Sequence, residues 1–138
     1  MQFSKILSVF SLAAAASATT VGYDQGYDNA ARPLTEVACS DGVNGLIWKY
    51  NWQVQGDVKR FPYIGGAQAV EKWNSANCGT CWSASYNGKT IYILAVDHAD
   101  QGLNIGLTAF NDLTSGHGVE IGRIDANVQQ VALSFCGL

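Results

Sequence analysis

A small, secreted, mainly β domain held by two disulfides is the fold class that this 138-residue sequence predicts. Three observations carry it: an apolar leader at the N-terminus, an even set of four cysteines beyond that leader, and short β-prone runs separated by Asn-Gly and Asp-Gly turns.

The leader begins Met1-Gln2-Phe3-Ser4-Lys5, one positive charge ahead of an apolar stretch from Ile6 to Ala16. It ends in Ala16-Ser17-Ala18, the small-residue pattern that signal peptidase accommodates, so residues 1–18 are read as a signal peptide and 19–138 as one domain. A buried N-terminal helix would need a polar face, and none breaks the run. No later segment approaches the roughly 20 apolar residues of a membrane span, so insertion into a bilayer is not expected. The net charge is −3, one unit more negative without Lys5, and the basic residues are scattered, which argues against nucleic acid as a partner.

Export places Cys39, Cys78, Cys81 and Cys136 in an oxidising compartment and implies two disulfides, with three pairings open. Cys78-Gly79-Thr80-Cys81 has the C-x-x-C spacing of redox sites, but it leads into a strand rather than opening a helix, and the structural reading is preferred. No N-x-S/T sequon occurs.

Along the chain, polar Val21 to Pro33 reads as an extended arm over the surface. Leu46-Ile47-Trp48-Lys49-Tyr50 follows two turn signals and reads as a strand. The strongest pair is Cys81 to Tyr86 with Thr90 to Val96, a hairpin turned at Asn87-Gly88, whose second strand is apolar enough for burial on both faces. A second pair is expected from Val119 to Ile124 and Val128 to Phe135 across Asp125-Ala126-Asn127. Short helices are expected over about Ala67 to Trp73 and about Ile105 to Leu113, the latter with Asn104 as N-cap.

Candidate chemistry centres on Asp97, which ends the most buried strand and so projects from a rigid scaffold to the rim of a cleft, or else caps the following turn. Asn104, Gln53, Arg60 and Tyr63 are further polar candidates. Trp48, Trp52, Tyr23 and Tyr27 sit among polar residues and offer ring faces on which sugars stack, whereas Trp73 is read as core. Asp97-His98-Ala99-Asp100, with His117 far off, lacks metal-ligand spacing; no metal and no cofactor is expected, and His98 is read as hydrogen-bonded at the strand end.

The stretches Cys39-Ser40-Asp41-Gly42, Asn44-Gly45-Leu46, Arg60-Phe61-Pro62-Tyr63-Ile64-Gly65-Gly66, Trp73-Asn74-Ser75, Cys78-Gly79-Thr80-Cys81-Trp82, Ala95-Val96-Asp97-His98-Ala99 and Cys136-Gly137-Leu138 occur in this order across the predicted domain. Together they resemble the cerato-platanin family. The resemblance implies a six-stranded double-psi β-barrel with short α-helices, like the N-terminal domain of expansins, and the pairs Cys39–Cys78 and Cys81–Cys136. It further implies secretion by a filamentous fungus into wall and medium, binding of chitin oligomers, non-hydrolytic loosening of cellulose, and perception by plants as an elicitor.

Family 45 endoglucanases, related to expansins, use one aspartate to protonate the leaving oxygen and a second to activate water. Asp97 resembles the acid of that pair. The segment nearest to the base motif is Trp48-Lys49-Tyr50-Asn51-Trp52, with Trp52 where the carboxylate would stand, and an indole cannot take a proton from water. The leading expectation is therefore a non-enzymatic binder of chitin or other wall oligosaccharides. Its predicted site comprises Asp97, Asn104, Gln53, Arg60, Tyr63, Tyr27 and Trp52. The alternatives are a weak hydrolase with Asp57 or Asp100 as substitute base, and a surface-active or host-interaction protein acting on plant surface receptors.

Overall fold

Asn87 and Gly88 both take positive φ, 48° and 81°, and turn the chain tightly enough for Tyr86 to pair with Lys89. This hairpin, β3 (Cys81–Tyr86) with β4 (Lys89–His98), is the centre of the computed structural model, which describes residues 18–138. The remaining strands are β1 (Ala18–Tyr23), β2 (Ile64–Ala67), β5 (Leu103–Ile105) and β6 (Arg123–Val131). They close into a six-stranded barrel in the order β1-β5-β2-β4-β3-β6. Pairing is mixed: β1 with β5 and β2 with β4 run parallel, and the other four pairs antiparallel. Apart from Ala18, the predicted signal peptide lies outside the described residues.

β4 is buried on both faces as expected, with Ile91, Ile93, Leu94, Ala95 and Val96 in the core. One face fills the barrel, and the other is covered by chain that bonds back to it, Cys39 N–H to the Val96 carbonyl and Gly79 N–H to that of Ala95. β2 threads between β4 and β5, where only glycine fits: a Cβ on Gly65 would collide with the Asn104 carbonyl, and one on Gly66 with that of His98. The β2–β4 register runs Gly65↔Ala95 and then Gly66↔Asp97, so Val96 is bulged out and the side chain that follows it is re-aimed. Cys39 is bonded to Cys78 and Cys81 to Cys136, the pairing implied by the resemblance.

Several local expectations are corrected. Val21 to Pro33 is not a surface arm throughout: Val21 is fully buried in β1, which is paired on both sides. Leu46–Tyr50 is a helix, α1, with Leu46 buried, Ile47 and Tyr50 half-buried and Trp48 exposed, because Leu46 and Ile47 donate to the Cys39 and Ser40 carbonyls and fold the segment against the disulfide loop. No helix spans Ala67 to Trp73; Ala67 ends β2 and turns follow. α2 (Leu107–Leu113) forms as expected, but Asn104 belongs to β5. Its cap is Asp28, whose carboxylate accepts from Leu107 N–H at 2.6 Å and Thr108 N–H at 3.1 Å. Val119 lies in a third helix, α3 (Gly118–Ile121), and β6 runs straight through Asp125-Ala126-Asn127. Ile124 and Ala126 point into the barrel while Asp125 and Asn127 point out, so the polar residues mark an outer face and not a turn. Leu133–Cys136 is a 3-10 turn.

The Cys81–Cys136 bridge closes a 55-residue separation, for which the chain-entropy model gives about 4 kcal/mol. Replacing both cysteines by serine is expected to lower the unfolding free energy by about 2–5 kcal/mol, read by linear extrapolation of urea unfolding, with a larger m-value because the unfolded chain is no longer cross-linked.

Candidate functional site

The bulge at Val96 aims Asp97 inward at three donors. Its carboxylate accepts the Tyr27 hydroxyl at 2.8 Å, the Ala38 N–H at 3.0 Å and the His98 N–H at 2.9 Å. Tyr27 is buried, its ring 5.5 Å beneath the Arg32 guanidinium, and burial followed by the Asp97 charge pushes its phenol far above the ordinary tyrosine range. The expectation that Tyr27 offers an exposed stacking face is thus corrected; what it offers is a hydroxyl, spent on Asp97. With both oxygens committed inside the protein, Asp97 acts as a clamp between β4 and the segments after β1.

Beyond the clamp the chain opens a polar cleft of about 670 Å³ on the outer face of the barrel. Alternation along β1 and β5 turns Thr20, Gly22 and Asn104 outward, and the register sets Asn104 beside Gly22 and Gly22 beside Arg123. The walls are Tyr23, whose ring is 5.4 Å from that of Phe110, the loop from His98 to Gln101, and Arg123. Gly22 and Gly122 contribute backbone alone and keep the floor open. His98 bridges two segments, with Nδ1 2.6 Å from the Val70 carbonyl and Nε2 3.0 Å from an Asp100 carboxylate oxygen. The first contact, then the second, raises the imidazole above its usual pKa of 6.5. Charges nearly balance, Arg123 and His98 against Asp100, a wall suited to a neutral polyol more than to a polyion.

The predicted site residues divide among four places. Asn104, with Tyr23, lines the cleft. Asp97 and Tyr27 form the clamp. Arg60 and Tyr63 share a smaller groove of about 320 Å³ with Phe61, Tyr92 and Asp112, where the Tyr63 hydroxyl donates to Asp112 at 2.8 Å. Lys89, 2.9 Å from the Asp112 carboxylate, and then Tyr63 hold that carboxyl below its usual range. Gln53 and Trp52 lie in the loop after α1: the Trp52 ring stacks on Tyr50 at 4.3 Å, and the Gln53 N–H donates to Asp57 at 2.9 Å. That bond and one from Val54 hold the Asp57 carboxyl low, so the residue weighed as a substitute base is tied to its own turn. Asp100, the other, is nearly fully exposed and paired with His98. Trp73 is a correction: it is exposed, its indole N–H bonded to Asp41 at 3.0 Å, and not core.

Thr20, Gln101 and Arg123 were not legible as site residues, since a parallel strand pair and the start of β6 bring them together without a local motif. Among the described residues no group of three His, Cys, Asp or Glu side chains is arranged to hold a metal ion. Among them too, no helix is long and apolar enough to cross a membrane.

The family model described as Cerato-platanin matches residues 19–138. A heat-stable 19 kDa antigen of Coccidioides posadasii is 45% identical over 123 residues, 89% of this chain and 84% of that protein. The crystal structure of cerato-platanin 3 from M. perniciosa superposes with a TM-score of 0.83 at 40% identity, covering 88% of this chain and 99% of the other. The solution structure of the fungal elicitor cerato-platanin gives 0.75 at 39% identity, covering 85% and 95%.

Protonated His98 donates to both partners, whereas neutral imidazole has one N–H and leaves one contact between two acceptors. The bridge therefore contributes fully below pH 6.5 and is lost as pH rises through the elevated value of the folded state. An NMR titration of the His98 ring is expected to show a midpoint above 6.5 that falls, without reaching 6.5, in Asp100→Asn.

Proposed function

The chain belongs to the cerato-platanin family, and we propose that it is a secreted, wall-associated protein that binds chitin and related oligosaccharides in the β1–β5 cleft and loosens polysaccharide without hydrolysis. The observation that carries this reading is the cleft itself: open, polar and nearly charge-balanced, with the Asn104 amide, the Arg123 guanidinium and one tyrosine ring on rigid strands. Hydroxyls and acetamido groups on a sugar meet complementary donors and acceptors there, and the ring's C–H face meets Tyr23. A wet, open surface excludes little water, so affinities for short oligomers are expected in the micromolar to millimolar range, about −4 to −8 kcal/mol.

Hydrolysis by inversion needs an acid and a base on opposite sides of the bond, roughly 6.5–9.5 Å apart. Asp97 accepts three hydrogen bonds from the protein, the polarity opposite to that of a proton donor, and the carboxylate lining the cleft, Asp100, is paired with His98. Such a site competes for hydrogen bonds between glycan chains without cleaving them. The solved relative named a fungal elicitor supports extending the proposal to perception by plants as an elicitor. Sensing does not require the cleft. Trp48 and Trp73, both exposed, favour a second reading in which host recognition or interfacial association uses surface aromatics outside it.

Titration with N-acetylglucosamine oligomers is expected to shift NMR signals of Thr20, Tyr23, Asn104 and Arg123 while no reducing ends form over days. Asn104→Ala, an outward residue, is expected to weaken binding by about tenfold, a loss of about 1.4 kcal/mol. Unchanged affinity with shifts elsewhere overturns the cleft assignment, and new reducing ends overturn the non-hydrolytic mechanism.

A further inference from the structure

The barrel has an open end beside the cleft. Residues opposed on paired strands share a face. The register therefore carries Thr19 with Ala126, Ala67 with Leu103, Ala84 with Val128 and Trp82 with Ile93 on the inner face. Ala84 and Ile93 are fully buried. Nearer the rim, Thr19, Ala67, Trp82, Leu103 and Val128 line a mouth of about 340 Å³, with Gln68 at its edge. That is the size and the apolar-with-few-polar composition of a small-ligand pocket, and barrel mouths are common places for one.

The mouth is built and not merely left over. The Trp82 indole N–H donates to the Thr80 hydroxyl at 2.8 Å, which in turn donates to the Asn77 carbonyl at 2.8 Å. The ring is thereby fixed, and with its N–H spent inside the protein it presents apolar carbon to the mouth. Gln68 uses its Oε1 on the Gly102 N–H at 3.2 Å, which orients the amide and leaves Nε2 for a ligand. The Thr19 hydroxyl stands beside Gly102. An apolar ring surface edged by an amide donor and a hydroxyl is the pattern that a sugar unit matches, with its C–H face on one side and its hydroxyls on the other.

The mouth also adjoins the outer cleft, with Leu103 lining both. Thr20, Gln101 and Leu103 line the cleft, while Thr19, Gly102 and Leu103 line the mouth. Thr19 with Thr20 and Gln101 with Gly102 are chain neighbours, about 3.8 Å apart at Cα, so a single ledge of main chain lies between the two spaces. That ledge is Gly102, at φ +49°, where a side chain would collide with the Thr20 carbonyl. The ledge between the two spaces is thus main chain packed on the β1 backbone, and a glycan that occupies both passes over it.

We infer that the barrel mouth is a second sugar subsite, which takes the terminal unit of a glycan against Trp82 while the preceding units lie in the outer cleft. The inference rests on the glycan-binding reading of that cleft. Binding strength then depends on chain length, because only an oligomer long enough to cross the Gly102 ledge reaches Trp82.

The test is an NMR titration of the secreted protein with N-acetylglucosamine oligomers from dimer to hexamer, following the Trp82 indole N–H resonance, assigned with Trp82→Phe. The expected result is a Trp82 shift with the longer oligomers alone and a rise in affinity of about tenfold from dimer to hexamer. Trp82→Leu and, independently, Ala69→Lys, at a half-buried residue that also lines the mouth, each remove that rise and leave dimer binding unchanged; Asn104→Ala weakens every length. If hexamer affinity and the Trp82 signal are indifferent to length while Asn104→Ala still weakens binding, the subsite is refuted and the cleft reading stands. If no oligomer binds at millimolar concentration, both fall.

Discussion

Three donors from three parts of the chain converge on the carboxylate of Asp97: the Tyr27 hydroxyl from the turn after β1, the Ala38 N–H from the loop that carries Cys39, and the N–H of His98. They can converge because the bulge at Val96 turns the end of β4 away from the regular pleat. Residues beside Tyr27 are anchored as well. Asp28 caps α2, and the buried Gln55 amide donates to the Gly26 and Asn29 carbonyls. A short, polar segment with little apolar surface of its own is thus fixed by side chains from distant elements. Hydrogen bonds to a charged acceptor contribute about 1.5–3 kcal/mol each, so the clamp is a sizeable share of the stability of a domain this small.

The same clamp separates shape from chemistry. Asp97, which the resemblance likens to the proton donor of a hydrolytic barrel, is turned here to hold the barrel together, and it is residues that follow it, between His98 and Asn104, that line the cleft. Because β1 pairs in parallel with β5, the outward residues Thr20, Gly22 and Asn104 form a flat polar strip on a rigid support. Such a strip is suited to binding by many modest hydrogen bonds and to ready release. The proposed action on an insoluble polymer without cutting it calls for that balance, since tight binding would pin the protein to one place.

Local signals made the β3–β4 hairpin legible: Asn87-Gly88 specifies the turn, and Ile91 to Val96 the burial. The resemblance made the barrel and its disulfides legible. Elements decided by remote partners were not. α1 carries β-prone residues, yet bonds to Cys39 and Ser40 wind it into a helix. α2 begins where Asp28, 79 residues earlier, supplies its cap, and no window of sequence contains both. In β6 the polar Asp125 and Asn127 mimic a turn because they occupy the outer face of a half-buried strand. In the cleft, Asn104 and Tyr23 were visible as polar and aromatic candidates. Thr20, Gln101 and Arg123 have ordinary side chains whose meaning comes from the strand register of β1 and β6 and from the loop that joins β4 to β5. Tyr27 and Trp73 exchanged places for one reason: the polarity of the neighbours in sequence does not reveal which hydrogen-bond partner, Asp97 or Asp41, waits in the fold.

The clamp is tested most directly by a double-mutant cycle between Tyr27→Phe and Asp97→Asn, with unfolding free energies from urea titration. A coupling of about 1.5–3 kcal/mol, with both single variants destabilised, is the predicted result. Additive effects near zero, with both variants as stable as the parent, would mean that the carboxylate is not committed to the fold and is available for ligand or proton transfer, which contradicts the account.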